Sequence, residues 1–253
     1  MKTTSSYRVV LVGPENPLNV GFVVRAMHCF GVSELVVAAS AWASMPDEAH
    51  VTGACAADIL NKAGFTPTLA AALRGCETAV AFSRRPTTLE QSQFSLPSVP
   101  PGFPPAGRVA LVFGRESKGL TRAESALCPH LARIPCRAGV SLNLGQAAAV
   151  ALFALTAPAP AAAPAGAAAS ADAGRPSGAE ERAAPVSLDR MLALWDFLEP
   201  RLAAAPRFTE GRRQRIRQML YRLSLGDADF DLLFAVMNEL SRPAAARRAA
   251  KLL

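Results

Sequence analysis

Residues 7–38 read YRVVLVGPENPLNVGFVVRAMHCFGVSELVVA. Two short β-branched runs, at 8–13 and 34–39, flank a segment with helical spacing. Val20, Val23, Val24 and Met27 fall at i, i+3, i+4 and i+7, which makes one buried stripe. Strand, helix, strand in that order predicts a βαβ unit and parallel strands. Asn19 can cap a helix that begins near Val20, and Gly31 can end it in the left-handed conformation. Between Asn16 and Ser33 the one charged residue is Arg25. It projects away from the centre of the stripe, either as an arginine on the exposed edge of an amphipathic helix or as a residue kept there for chemistry.

The pattern continues outward. ETAVAFS (77–83), RVALVFG (108–114) and HLARIPC (130–136) are further strands, and NLGQAAAVALFALTA (143–157) is a helix. PTTLEQSQFSLPSVPPGFPPAG (86–107) is dense in proline and reads as a loop. The alternation predicts an α/β fold with a parallel sheet covered on both faces over residues 1–156. Residues 157–186 hold 14 Ala, 5 Pro and 3 Gly without an aromatic residue. Repeated proline forbids one continuous helix there, so the segment is a linker, spanning about 30 Å as a flexible coil. SLDRMLALWDFLEPRL (187–202), TEGRRQRIRQMLYRLS (209–224) and DADFDLLFAVMNELSR (227–242) then predict three helices within a C-terminal unit over 187–253. Ile216, Met219, Leu220 and Leu223 mark the apolar stripe of the second helix.

The net charge of +7 is unevenly spread: 13 basic against 9 acidic residues over 1–156, and 12 against 8 in the much shorter 187–253. Such a balance points to an anionic partner such as nucleic acid. Arg212, Arg213, Arg215, Arg217 and Arg222 surround one helix. They either contact phosphates or keep an apolar stripe soluble. Few aromatics interleave, so base stacking is not indicated. The cysteines at 29, 55, 76, 128 and 136 form no C-x-x-C pair, and their odd number argues against a disulfide framework. His28, His50 and His130 have no metal-ligand spacing, and no metal is expected. No run suits a membrane span or a secretory signal, so a cytoplasmic protein without membrane attachment is expected.

Familiar signatures fail. GPENPLNVG (13–21) lacks the G-x-G-x-x-G order, and GRESKGLT (114–121) has Leu120-Thr121 where a P-loop needs Lys-Ser/Thr. Neither a G-x-S-x-G elbow nor an H-E-x-x-H helix is present. Three segments remain. NVGFVVRA (19–26) opens the first helix. LVFGRESKGLT (111–121) puts charged residues at the carboxyl end of a buried strand, where open α/β sheets hold ligands. IP (134–135) and SLNLGQA (141–147) end with Ser141 and Asn143 at a helix start. The second and third segments also admit plainer readings, as a solvated loop and a helix cap.

Together and in this order, the three segments resemble the motifs of the SPOUT methyltransferases, within them the TrmH/TrmJ-like RNA ribose 2′-O-methyltransferases. The C-terminal helices are similar to the extension of the TrmJ branch. The resemblance implies an α/β domain with a C-terminal trefoil knot, an exception to the rule against knots. It implies S-adenosylmethionine as cofactor and a homodimer with the active site at the subunit interface. Carried onto this chain, the cofactor loops are Phe82, Ser83 and Arg84; Gly114 and Glu116; Ile134; and Ser141, Leu142 and Asn143. Arg25 becomes the candidate catalytic residue, with Asn19, Ser141 and Asn143 helping to assemble the site. Arg212, Arg213, Arg215 and Arg217 are candidate RNA contacts. Where the family commonly reads G-T-S-A-R, this chain has Ala81-Phe82-Ser83-Arg84-Arg85. The implied reaction is 2′-O-methylation of RNA, with the anticodon loop of tRNA preferred. Ribosomal RNA is the alternative substrate, and a non-catalytic RNA-binding protein of the same fold is the rival.

Overall fold

A computed structural model describes residues 6–84, 91–100, 103–137, 140–156, 186–222 and 225–241. Strand β1 (Ser6–Val12) leads into helix α1 (Pro17–Cys29) and β2 (Glu34–Ala38). Short helices α2 (Glu48–Gly53) and α3 (Ala57–Asn61) precede β3 (Gly64–Thr66) and α4 (Leu69–Ala72). Strands β4 (Thr78–Phe82), β5 (Ser92–Ser95) and β6 (Arg108–Phe113) follow, then α5 (Arg122–Ala126), β7 (His130–Arg133) and α6 (Leu144–Thr156). Helices α7 (Leu188–Ala203), α8 (Glu210–Arg222) and α9 (Asp227–Ser241) complete the described chain.

All seven strands form one sheet in the order β3-β2-β1-β6-β4-β7-β5, and every pairing is parallel. The strand period of two sorts the central side chains. Val9, Leu11, Val109, Leu111 and Phe113 face the side covered by α1 and α6, whereas Val10, Val12, Ala110 and Val112 face the other. Strands buried on both faces read as continuous apolar runs, which is why these two central strands were plain in the sequence. At the amino ends of the strands Glu34 bridges Arg8 and Arg108, and Arg8 also donates to the carbonyls of Ala72 and Arg74.

The α1 stripe is as expected: Val20, Val23, Val24 and Met27 are fully buried. Gly31, at φ 70°, closes the helix with Val32 N–H on the Met27 carbonyl and Gly31 N–H on that of His28. The start differs. Asn16, not Asn19, caps α1 by accepting from Leu18 N at 3.0 Å, and Pro17 opens the first turn. Residues 86–107 also hold more than a loop, because Ser92–Ser95 pairs with β7 as the edge strand β5.

The second sheet face is covered in part by the C-terminal helices. Leu188 and Leu192 of α7 join the cluster of Val10, Val112 and Leu73. Full burial of a leucine is worth about 1.5–3 kcal/mol. Asp189 accepts from Gly75 N at 2.7 Å. On α8, Gln218 is 1% exposed and donates to Ala126 O at 2.8 Å, and Tyr221 donates its hydroxyl to Leu127 O at 3.2 Å. Gln218 therefore takes the buried position that apolar periodicity assigned to Met219, which is 43% exposed. The remaining faces of α7–α9 close on Leu194, Trp195, Leu220 and Phe230. Val186, at the end of the expected linker, donates its N–H to Leu225 O. Residues 157–185, the rest of that linker, lie outside the described residues, as do Leu223 and the side chain of Arg222. Among the described residues no helix is long and apolar enough to cross a membrane, and no three metal-ligating side chains come together.

Candidate active site

The carboxyl ends of β4, β6 and β7 open into a cavity of about 230 Å³. Phe82, Ser83, Arg84, Gly114, Glu116, Ile134, Ser141 and Leu142 all line it. Asn143, expected with them, does not; Ser117 and Lys118 of the charged turn line it too, and Phe113, Leu120 and Cys136 do so without having been named as cofactor contacts. Parallel strands end together, so loops far apart in the chain converge on one rim.

The floor is aromatic. Phe82 and Phe113 sit one residue beyond the Ala81–Val112 register pair, and their rings stack at 4.6 Å and 7°. The bulky side chain at position 82 is thus absorbed into the floor, where Phe82 is only 9% exposed. The wall is main chain. The loop after β6 turns back so tightly that a Cβ on Gly114 would lie 2.3 Å from Gly119 C and Leu120 N. Gly119 N–H closes the turn on Arg115 O at 2.7 Å. Arg115 pairs with Glu124 at 3.0 Å, and Glu124 completes a capping box with Thr121 at the start of α5. Burial by itself raises the Glu124 carboxyl. Hydrogen bonds from Arg115 and Thr121 outweigh that and hold it below the usual carboxylate range.

Behind this wall a polar chain ties the three motif segments together. The Glu116 carboxylate accepts from Glu15 N at 2.9 Å, Asn16 N at 3.2 Å and Asn19 Nδ2 at 2.9 Å. With its amide nitrogen committed to a carboxylate, Asn19 presents Oδ1 to Asn143 Nδ2 at 2.7 Å. Asn143 in turn exchanges two hydrogen bonds with Gln146 across the start of α6. Asn19 thus orients Asn143, and neither forms the cavity surface.

Arg25 stands apart. It is exposed on α1, does not line the cavity and joins no ion pair among the described residues. The same helix exposes Leu18 (39%) and Phe22 (47%), and neighbouring α6 exposes Val150 (38%) and Phe153 (60%). Of the C-terminal arginines, Arg212 and Arg215 are exposed. Arg213 is half-buried and donates to Phe208 O. Arg217 is drawn into the helical unit with its guanidinium 4.2 Å from the Trp195 ring, and burial lowers its pKa.

Residues 6–153 match the SpoU rRNA Methylase family model. The chain is 37% identical over 149 residues to the tRNA (cytidine/uridine/adenosine-2'-O-)-methyltransferase TrmJ of Pseudomonas aeruginosa, covering 56% of this chain and 57% of that one. It is 31% identical over 208 residues to the tRNA (cytidine/uridine-2'-O-)-methyltransferase TrmJ of Klebsiella pneumoniae, covering 78% and 79%. The chain thus spans little more than half the length of the first relative and about four fifths of the second. The crystal structure of TrmJ from Z. mobilis ZM4 superposes with a TM-score of 0.75 at 20% identity, over 93% of this chain and 99% of that one. That likeness is one of fold, and it includes the C-terminal helices. With the family model spanning every strand of the sheet and all three motif segments, the chain belongs to the SpoU rRNA methylase family.

Proposed function

We propose that this chain is an S-adenosylmethionine-dependent RNA ribose 2′-O-methyltransferase that works as a homodimer and acts on cytidine or uridine in the anticodon loop of tRNA. One observation carries the reading: Glu116, Asn19 and Asn143, one from each motif segment, are hydrogen-bonded in series behind a single cavity. The named activities of the two TrmJ relatives supply the substrate class. Residues 1–156 form the catalytic unit of this reading, knotted at its C-terminal side. Residues 157–186 tether the helical unit of 187–253.

The residues around the cavity suit the cofactor. Stacked Phe82 and Phe113 offer a flat apolar floor, and the rim at Ser83, Gly114 and Glu116 offers main-chain groups. S-adenosylmethionine supplies a sulfonium methyl that is already a good electrophile. The protein's task is then to align a weakly nucleophilic ribose hydroxyl and to stabilise oxyanion character as its proton leaves. Gly114–Glu116, Ile134 and Ser141–Leu142 hold the cofactor, and Asn19 and Asn143 lock those loops. The Arg25 guanidinium carries N–H donors and no acceptor, so its role is to donate to the nucleotide phosphate and the developing alkoxide rather than to act as a base.

Because Arg25 lies outside its own chain's cavity, a second copy is part of the proposal. Leu18, Phe22, Val150 and Phe153 give α1 and α6 a shared exposed apolar face. Covering it with the same face of a partner sets Arg25 at the partner's cavity. Exposed Arg212 and Arg215 provide phosphate contacts in the helical unit. The test is methyl transfer from labelled S-adenosylmethionine to unmodified tRNA and ribosomal RNA in parallel, followed by nucleoside mass spectrometry. A 2′-O-methylpyrimidine from tRNA supports the proposal, and product from ribosomal RNA alone moves the enzyme to the other substrate. No product together with no cofactor binding leaves an RNA-binding protein.

A further inference from the structure

Glu15 lies in the loop between β1 and α1, two residues beyond Gly13. Unlike Glu116, it does not line the cavity. Its carboxylate reaches across to the loop after β6. Oε2 accepts from Ser117 N at 2.9 Å, and Oε1 accepts from the Ser117 hydroxyl at 2.6 Å. The adjacent residue of that loop reciprocates, since the Glu116 carboxylate accepts from Glu15 N and Asn16 N. Two loops about a hundred residues apart therefore exchange carboxylates, each oxygen pair taking donors from the opposite strand end. β1 and β6 are hydrogen-bonded neighbours in register up to Leu11–Phe113, which brings the two loops face to face.

Two exposed carboxylates side by side repel unless donors and cations offset them. Here five donors serve the pair, counting the Asn19 amide. The hydroxyl and then the amide of Ser117 hold the Glu15 carboxyl below the usual carboxylate range, with Arg115 and Lys118 adding to the effect. Ser117 and Glu116 both line the cavity, so Glu15 fixes the back of a loop whose front faces the ligand.

On the function proposed above, we infer that Glu15 is a positioning residue for the cofactor: it clamps Ser117 from behind and so preorganises the 114–121 loop for S-adenosylmethionine. A loop that must be ordered on binding costs affinity, and one held beforehand does not. The clamp therefore acts on cofactor binding rather than on the turnover of bound enzyme.

The full-length protein and its Glu15→Ala, Glu15→Gln and Ser117→Ala variants provide the test, by titration with S-adenosylmethionine, by methyl-transfer kinetics and by amide exchange at Ser117. Glu15→Ala is expected to raise the cofactor Kd and KM about tenfold, the size of one charge-assisted hydrogen bond. Its kcat at saturation stays within about twofold, the split expected of an effect on binding. Glu15→Gln, which keeps one acceptor oxygen for the Ser117 amide, recovers part of the affinity. In the Ser117→Ala background the loss from Glu15→Ala shrinks, because the hydroxyl bond is already gone. The Ser117 amide loses exchange protection in Glu15→Ala even without cofactor. Unchanged protection there overturns the clamp, and lost protection with unchanged Kd overturns its role in binding. If the wild-type protein binds no S-adenosylmethionine, the functional reading fails and takes the cofactor role of Glu15 with it, while amide exchange still decides whether the clamp exists.

Discussion

Asn143 Nδ2 lies 2.7 Å from Asn19 Oδ1, joining two residues 124 positions apart. The contact is directional. Glu116 takes the Asn19 amide nitrogen, so the oxygen alone is left to face Asn143, and only a donor satisfies it there. The Asn143 side chain also caps α6 by accepting from Gln146 N, which separates its structural work from its link to Asn19.

Asn143→Asp keeps the capping oxygen and removes the donor. It is expected to leave the thermal midpoint within a few degrees of wild type and to lower methyl transfer more than Asn143→Ala does. The added carboxylate faces Asn19 Oδ1, and Asn19 cannot turn without losing Glu116. Equal activity of Asn143→Asp and wild type would show that the directionality has no role. Asn143→Ala loses the cap instead, at about 1 kcal/mol, readable by denaturant unfolding.

Arg212 and Arg215 are exposed, whereas Arg217 is half-buried against Trp195. The double variant Arg212→Ala/Arg215→Ala is expected to weaken tRNA binding and to reduce the salt dependence of log K by a slope of about one to two. Cofactor affinity stays unchanged. Arg217→Ala should instead lower the thermal midpoint, since stacking on a desolvated indole contributes about 1–2 kcal/mol. RNA affinity that falls with Arg217→Ala in a fully stable protein would contradict this division.

Gln218 tests the docking of the C-terminal helices. Replacing it by Ala leaves Ala126 O without its side-chain donor and is expected to cost about 1–3 kcal/mol. Loosened docking is read as faster proteolysis of α7–α9. An unaltered proteolysis rate with an unaltered midpoint would show that this buried bond does not hold the unit in place.

Acid should weaken the Arg115–Glu124 pair in a defined window. The Glu124 carboxyl is held below the usual carboxylate range in the folded chain, where hydrogen bonds from Arg115 and Thr121 outweigh the effect of burial. Its contribution is present above the unfolded value and is lost as pH falls through the lower folded value. The difference in midpoint between wild type and Glu124→Gln should therefore be constant near neutrality and shrink below about pH 4.5. A difference that persists into strong acid would mean that shape rather than charge matters at this position.

How much of this was legible in the sequence depended on how far each signal reached along the chain. The buried strands and the α1 stripe are local patterns, and both appeared where expected. Edge strand β5 has one buried residue, Phe94, among polar neighbours and sits in a proline-rich segment, so neither alternation nor composition marks it. Asn16 and Asn19 are both capping residue types one turn apart. Only the position of Glu116, about a hundred residues away, decides that Asn19 has other work. Gln218 beside Met219 inverts the apolar pattern because its donor serves a carbonyl of the core. Glu15 carries no local signal, since an exposed glutamate after Gly-Pro reads as any loop residue. Arg25 was legible as the lone charge of its helix, yet its place outside the cavity was not.

That place is decided by mixing subunits. Arg25→Ala and Ser141→Trp, the latter filling the cavity, should each abolish methyl transfer as pure dimers. When the two variants are unfolded, mixed equally and refolded, half of the dimers are mixed, and each mixed dimer holds one site with an intact cavity opposite an intact Arg25. Activity should return to about one quarter of wild type, as expected for an isologous dimer with shared sites. No recovery from mixtures shown to contain the mixed dimer would contradict an Arg25 that serves the partner's cavity.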